Sequence, residues 1–368
     1  MGHAVPPAAS SPPTPSLQPS SPQSPSLSVQ PLRAWQLPTL QGDAFDDLIP
    51  LLQRALLLQG PERLLHSLAA RPPLAPEVLV AFRDPQQPLG LVVSERLNRS
   101  GSCWQLQHLR SSSACLAVGE AGRLAVEAAL VRAAIQSSRA AASWIATSAS
   151  GDTVRLAALR QLGFQPLRRE TLWRWEPPSP RRDGPEADAT AGLPPDLQLT
   201  RLTRRSAAAM WQLEQAALPA QLRQLLDRSV DDLLDQSDQP SLMLIDSNRR
   251  QAVAGARRLR PGQRGLAEVE LTLHPGWQHL LGRPLQVLLE RSGAGASQLL
   301  VRSDNLDAER GRWLESLGMA PEGEEVLMAR SVWRRHAPQQ TQAMAQRLEA
   351  VLGQLQPRQR PIPTPLGR

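Results

Sequence analysis

Glu268 and Glu270 stand two residues apart in the run Ala-Glu-Val-Glu-Leu-Thr-Leu-His-Pro. Alternation of this kind reads as a strand, and its period of two places both carboxylates on one face. A carboxylate on a strand can take a proton as a general base, directly or through water. His108, in the run Trp-Gln-Leu-Gln-His-Leu-Arg, is a second candidate base, because an imidazole titrates near neutral pH. Two loops point to different chemistry. Val118-Gly119-Glu120-Ala121-Gly122-Arg123 and His279-Leu280-Leu281-Gly282-Arg283-Pro284 each lead into a predicted helix. The first turn of a helix offers unpaired N–H groups and the positive end of its dipole, which together hold a phosphate. Glycine permits close backbone approach, Arg123 and Arg283 add charge, and Pro284 fits a first turn where its missing N–H costs little. The candidate anion-binding residues are therefore Val118, Gly119, Glu120, Ala121, Gly122 and Arg123 in one loop, and His279, Leu281, Gly282 and Arg283 in the other. Each feature also has a plain structural reading. The loops are ordinary strand-to-helix connections, His108 a packing residue, His274 a turn residue and Glu270 part of a solvated face.

Composition narrows the chemistry. The chain has no Lys and no Tyr, so all 41 cations are Arg and neither Lys nor Tyr can serve as acid, base or nucleophile. The net charge of +7 first points to nucleic acid. Residues 334–368, however, hold six Arg against one Glu, leaving a nearly neutral body with no Arg cluster interleaved with aromatics. Nucleic acid is therefore not the expected partner. Cys103 and Cys115 are the only cysteines, and no His cluster accompanies them, so neither a disulfide framework nor a metal site is expected. Two unpaired thiols fit a cytoplasmic protein. The longest apolar run, 48–58, is broken by Pro50, Gln53 and Arg54, and the N terminus has neither a charged segment nor an apolar core. Neither a membrane span nor a secretory signal is expected.

The elements that must position these residues fall into two similar sets. Residues 1–30, almost entirely Pro, Ser, Ala and Gln, read as a disordered leader, and 177–196 as a linker. In the first body, 31–176, strands are expected at 33–37, 78–83, 89–95, 104–109 and 143–147. Helices are expected at 45–58, 62–69, 120–136 and 152–162, with a final strand pair over 164–175. In the second, 197–333, strands are expected at 197–202, 242–246, 252–259, 268–273, 298–302 and 324–330. Helices are expected at 206–217, 221–234, 281–291 and 307–317. The tryptophans read as packing residues, with Trp277 in the second loop as the one placed to meet a ligand. Past residue 334 an amphipathic helix, 339–355, precedes a Pro/Arg tail. It is expected to pack on its own protein or on a partner.

The two sets also match residue by residue. A shift of 155 carries Asp152 to Asp307, Arg155 to Arg310, Leu159 to Leu314, Leu162 to Leu317, Gly163 to Gly318 and Pro166 to Pro321. A constant offset through strand, helix and turn is the mark of a duplication.

Each set runs strand, Gly-containing loop, helix, strand, Asp-led helix, then Leu-Gly-(Phe/Met)-x-Pro into a last strand. This resembles the acetyl-CoA-binding part of the GCN5-related N-acetyltransferase (GNAT) family, over roughly 33–176 and 197–333. The resemblance implies an α/β fold with an α+β mixed sheet, two tandem GNAT-like acyl-CoA N-acyltransferase domains, and acetyl-CoA or another acyl-CoA as cofactor. It further implies transfer of the acyl group to an amine on a small molecule or protein. The second domain is the one more expected to be active, because Glu270 with His274-Pro275 occurs only there. The family cradle, Arg/Gln-x-x-Gly-x-Gly/Ala, is imperfect in both copies, with Leu116 or His279 in the cation slot and Pro284 in the last small-residue slot of the second. The usual tyrosine acid is replaced by Leu159 and Leu314. A catalytically degenerate pair serving as a regulatory or interaction module is the alternative.

Overall fold

The computed structural model describes residues 27–41, 44–68, 75–84, 86–138, 141–176, 193–259 and 266–332. The leader up to residue 26, most of the linker, and the tail with its expected helix lie outside the described residues.

The first repeat begins with β1 (Ser28–Pro31), so the last residues assigned to the leader belong to the sheet. The strand expected at 33–37 is instead part of a 3-10 turn, Ala34–Leu40. There the buried Gln36 side chain accepts from the Arg33 N–H at 2.8 Å and closes the backbone on itself. A second 3-10 turn, Asp46–Leu48, leads into α1 (Ile49–Leu68), one helix where two were expected. Its Gly60 and Pro61 do not end it, since a proline removes one donor without obliging a helix to stop.

Next come the antiparallel strands β2 (Glu77–Asp84), β3 (Gln87–Arg96) and β4 (Cys103–Ser111). A short α2 (Ser113–Leu116), absent from the sequence reading, is capped by Ser112, whose Oγ accepts from the Cys115 N–H at 3.2 Å. The repeat ends with α3 (Glu120–Ser137), β5 (Ser143–Ala149), α4 (Thr153–Gln161) and β6 (Gln165–Trp175). β6 is a single strand of 11 residues rather than a strand pair.

The second repeat opens with β7 (Leu197–Arg201) and α5 (Ala207–Ala217). The helix expected over 221–234 is two, α6 (Ala220–Leu226) and α7 (Val230–Gln236). Asp227 adopts φ 43°, and Ser229 starts a new capping box with Asp232, so the chain cannot continue the first helix. β8 (Ser237–Asp246), β9 (Gln251–Leu259) and β10 (Leu266–Leu273) follow. The helix expected from 281 is preceded by a 3-10 turn, Pro275–Leu280, and itself begins later as α8 (Arg283–Ser292). β11 (Gln298–Asp304), α9 (Ala308–Ser316) and β12 (Ala320–Ser331) complete the chain's regular structure.

The duplication is visible in three dimensions. β5 and β11, and α4 and α9, have bounds 155 residues apart. Asp152 and Asp307 cap their helices identically, each Oδ1 accepting a backbone N–H three residues on at 3.1 Å. Gly163 and Gly318 end them at φ 85° and 80°, in the left-handed region where glycine is unstrained.

All twelve strands form one sheet, ordered β1-β2-β3-β4-β5-β12-β6-β11-β10-β9-β8-β7. The last strands are exchanged between the repeats. β12 lies beside β5, and β6 lies beside β11, antiparallel with Val301 opposite Trp173. The cores follow the exchange. Val326 and Met328 of β12 sit in the first-repeat core with Leu130, Trp144 and Leu159, while Trp173 and Trp175 of β6 sit in the second-repeat core with Val269, Leu288 and Leu314. β6 and β12 pair antiparallel at the centre, with Glu170 opposite Glu325, its own equivalent in the repeat. Like charges directly opposite destabilise a sheet. Here Arg168 pairs with Glu170, and Arg302 with Glu325 at 3.1 Å.

Candidate functional site

Within each repeat two parallel strands are paired for only part of their length. β4 and β5 are in register from Cys103↔Ser143 to Leu106↔Ala146, although both continue beyond. β10 and β11 are in register from Leu266↔Gln298 to Val269↔Val301 and likewise continue. Past these points the ladder stops and the strands part, opening a wedge with backbone edges on both sides.

Of the sequence-predicted bases, Glu270 and His108 stand just past the end of each ladder, while Glu268 lies within it, opposite Leu300. Val269 and Leu271 point into the core under α8, so Glu270, between them, faces the other side of the sheet. Glu268 shares that face and pairs with Arg302. In the first repeat Leu106 and Leu109 both lie in the core, a spacing of three that a regular strand does not permit. A β-bulge explains it. Val93 pairs with His108 and Ser94 with Leu106, so Gln107 is an extra residue. The bulge turns His108 to the opposite face, the counterpart of the Glu270 position. Burial, reinforced by Arg110, pulls the imidazole below its ordinary range, with Asp47 opposing.

The electrostatics of the two positions differ. The Glu270 carboxylate contacts the Arg257 guanidinium and lies 3.9 Å from that of Arg228. Both arginines also bind Glu214 at 2.9 Å, so two acids and two bases form a ring. Arg257 is fully buried and Glu214 nearly so, hence each charge depends on its partners. Burial pushes the Glu270 carboxyl up, but Arg257, Arg228 and Arg168 outweigh it and hold it below the usual carboxylate range. Arg257, Arg228 and Glu214 were missed by sequence reasoning. Only the Arg257-Arg258 pair ending an otherwise apolar strand gave any signal.

The two loops expected to hold an anion are unequal. In the first repeat Arg123 N–H is the first to bond back along α3, to the Gly119 carbonyl at 3.0 Å. The N–H groups of Glu120, Ala121 and Gly122 therefore precede the helical ladder. A Cβ at Gly119 would meet nothing within 4 Å. The Arg123 side chain, however, is committed to Glu127 at 2.8 Å and Asp152 at 2.5 Å. Arg155 adds a contact with Glu127 at 3.3 Å. Glu120 places an acid on the first turn, and Leu116 and Val118 are exposed apolar neighbours. These residues fit a dianion poorly.

In the second repeat the Gln286 N–H makes the first α8 bond, to the Gly282 carbonyl at 3.0 Å. Pro284 lacks an N–H, which leaves those of Arg283 and Leu285. The Arg283 guanidinium is 53% exposed and has one loose pairing, to Glu290 at 3.3 Å. His279 packs on Trp277 with ring centroids 5.1 Å apart, and Arg249 lies over the Trp277 ring at 5.8 Å. Leu281 connects this turn to Gly282, where an added Cβ also meets nothing within 4 Å. No acid stands in the first turn. This loop fits a phosphate better. His274 is a turn residue, its Nδ1 accepting from the Gly276 N–H at 3.1 Å.

Leu159 and Leu314 are fully buried, so neither helix after the wedge offers a hydroxyl there. Arg310 reaches the second wedge instead, donating to the Leu271 carbonyl at 3.4 Å while its Nε faces Asp307 at 3.1 Å. Among the described residues no group of His, Cys, Asp or Glu is arranged to hold a metal ion.

No protein-family model matches the chain, and no curated protein matches it. Solved structures do. The chain is similar to the GCN5-related glucosamine N-acetyltransferase region of a fungal multi-domain β-N-acetylglucosaminidase, with 12% identity and a TM-score of 0.51, over 83% of this chain and 38% of that one. A GCN5-related N-acetyltransferase from Sphaerobacter thermophilus aligns at 13% identity and TM-score 0.49, over 83% and 95% of the two chains. A tandem GNAT protein from the clavulanic acid biosynthesis pathway aligns at 14% identity and 0.49, over 83% and 98%. Two repeats with parting parallel strands, a helix N terminus beside each wedge and an exchanged last strand make this chain a tandem example of the GCN5-related N-acetyltransferase fold.

Proposed function

We propose that the chain is an acyl-CoA-dependent N-acyltransferase whose working site is the second repeat, within 197–333, the first repeat (31–176) serving as its structural partner. The observation that carries this reading is the position of Glu270. It is an ionised carboxylate at the point where β10 and β11 part, in the repeat whose helix N terminus also fits a phosphate. Acetyl-CoA, or another acyl-CoA, supplies the activated acyl group when bound. The N–H groups of Arg283 and Leu285, with the Arg283 guanidinium, would hold its pyrophosphate, and His279 and Trp277 border that place. Glu270 takes the proton from the acceptor ammonium, directly or through water, and Glu268 and Arg302 lie on the same face to orient it. The acceptor is an amine on a small molecule or a protein. In the first repeat His108 occupies the matching position, but the loop 118–123 is poorly suited to an anion.

One observation favours binding without turnover. Two guanidiniums stabilise ionised Glu270 and thereby weaken it as a base, and no hydroxyl replaces the buried leucines as acid. Thermal unfolding with acetyl-CoA, followed by thiol release with a panel of amines, separates the two readings. A site filled at 100 times its dissociation constant stabilises the protein by about 2.7 kcal/mol. Stabilisation with amine-dependent thiol release, reduced about 10²-fold or more in Glu270→Gln, supports transfer. Stabilisation without release supports the binding module, and no stabilisation rejects both.

A further inference from the structure

The turn between α6 and α7 supplies Arg228 to Glu270, yet much of what holds that turn comes from the other repeat. A helix leaves its last carbonyls without intrahelical partners. At the end of α6 these are filled by first-repeat side chains. The Leu225 carbonyl accepts from Ser143 Oγ at 2.6 Å. The Leu226 and Asp227 carbonyls lie 3.2 and 3.1 Å from Asn98 Nδ2. Asn98 is 4% exposed, and its Oδ1 accepts from the Cys103 N–H at 3.2 Å, which fixes the orientation of the amide. Ser102 Oγ donates to Asp227 at 2.7 Å, and the Arg99 N–H to Asp232 at the same distance. Asp227 is held in the left-handed region, at φ 43°, and the next residue is Arg228. From the second repeat, Trp211 Nε1 donates to the Arg228 carbonyl at 2.8 Å. The Arg228 guanidinium then stands 2.9 Å from Glu214 and 3.9 Å from Glu270.

We infer that Asn98 is a positioning residue for the second-repeat site: by capping the end of α6 from the first repeat, it holds Arg228 against Glu270. As control of catalysis this rests on Glu270 being the base; as control of the Glu270 carboxylate it does not. A non-glycine residue in left-handed backbone is retained only where its surroundings fix it. Without the amide of Asn98, whose Nδ2 also donates to Ser102 Oγ at 2.8 Å, the buried Leu226 carbonyl and the part-buried Asp227 carbonyl lose a donor. The turn then relaxes and Arg228 withdraws. The charged groups that face Glu270 are Arg257 from β9, Arg228 from the turn, Arg168 and Glu170 from β6, and Glu214 from α5 through the two arginines. Among the second-repeat residues in this set, Arg228 is the one that directly follows backbone held by first-repeat side chains, the carbonyls of Leu225, Leu226 and Asp227.

The test is the titration of the Glu270 carboxyl in the full chain, followed by carbon-13 NMR and assigned by the signal lost in Glu270→Gln. Arg228→Gln and Asn98→Ala are both expected to move its midpoint upward. The double variant is expected to move it no further than Arg228→Gln alone, since both act on one contact. Arg99→Ala, which removes the exposed ion pairs with Asp231 and Asp235 on the adjoining α7, is expected to leave the midpoint in place. An unmoved midpoint in Asn98→Ala, or an equal shift in Arg99→Ala, overturns the inference, the latter because any loosening of the interface would then suffice. If Asn98→Ala does not fold, Ser143→Ala removes only the donor to Leu225 and should give a smaller shift of the same sign; no shift overturns the inference. The readout needs no acyl transfer, so a chain that neither binds acetyl-CoA nor turns over still decides it.

Discussion

Glu95 on β3 illustrates how burial alone sets a residue's behaviour. Burial is the cause, and it pushes the carboxyl up to about 7. The folded state therefore holds this proton more tightly than the unfolded chain, whose carboxyl titrates near 4.5. Its contribution is fully present below about pH 4.5 and is lost as pH rises through 7, a loss of about 3 kcal/mol at 1.36 kcal/mol per pH unit. Glu95→Gln should accordingly raise the melting temperature at pH 8 and change it little at pH 5, as calorimetry at the two pH values would show. Glu270 is the opposite case, half-buried and flanked by guanidiniums. The placement of Glu268 and Glu270 on one face was legible, because strand alternation is a local property. Their partners were not. Glu214, Arg228 and Arg257 come from three separate elements, and no spacing in the sequence connects them. The turning of His108 was hidden for a related reason, since a bulge is decided by the strand alongside.

At the scale of elements, the Asp-led helices were the most legible part of the chain. An aspartate, an arginine three residues on, and Leu-Gly at the end specify cap, ladder and stop within one short segment, and both copies fold accordingly. Asp307→Ala should cost about 1 kcal/mol by loss of the cap. Both aspartates also face the arginine three residues on, but Asp152→Ala should cost more, about 2 kcal/mol, because Asp152 additionally takes Arg123 in a half-buried ion pair at 2.5 Å. Urea unfolding of the two variants would measure the difference, and equal costs would remove any stabilising part for that ion pair. Elsewhere the local signals were overridden. Gln36 closes a turn where a strand pattern was read. Gly60-Pro61 passes through a helix, and the break at Asp227 was masked by a continuous apolar stripe. At Gln36 and Asp227 side-chain contacts outweigh a propensity worth well under 1 kcal/mol per residue.

The whole molecule depends on an exchange that no local pattern announces. Each repeat was legible as strand, helix and strand, but which β5-like strand accepts which last strand is a choice between chemically similar edges. The outcome removes independence from the halves. Fragment 27–176 lacks Val326 and Met328 in its core, and fragment 193–332 lacks Trp173 and Trp175. Loss of large apolar side chains of this kind costs about 2–5 kcal/mol each, a large share of a domain's stability. Neither fragment is expected to persist as a stable monomer, whereas mixing them should restore one particle of about the intact chain's size, with a melting temperature that rises with fragment concentration. Size-exclusion chromatography of each alone and of the mixture would show this, and two well-behaved monomers would contradict it.

Glu170 pairing with Glu325 means that an approximate two-fold axis crosses the sheet between β6 and β12. Symmetry of that kind is what an isologous dimer possesses. A progenitor carrying one repeat and folded in this way would have had no complete monomer; two identical subunits, each lending the other a strand, would have been its smallest folded unit. Joining the copies in one chain removes the concentration dependence of such a dimer. It also frees the two copies to diverge, as the different partners of Arg123 and Arg283 record.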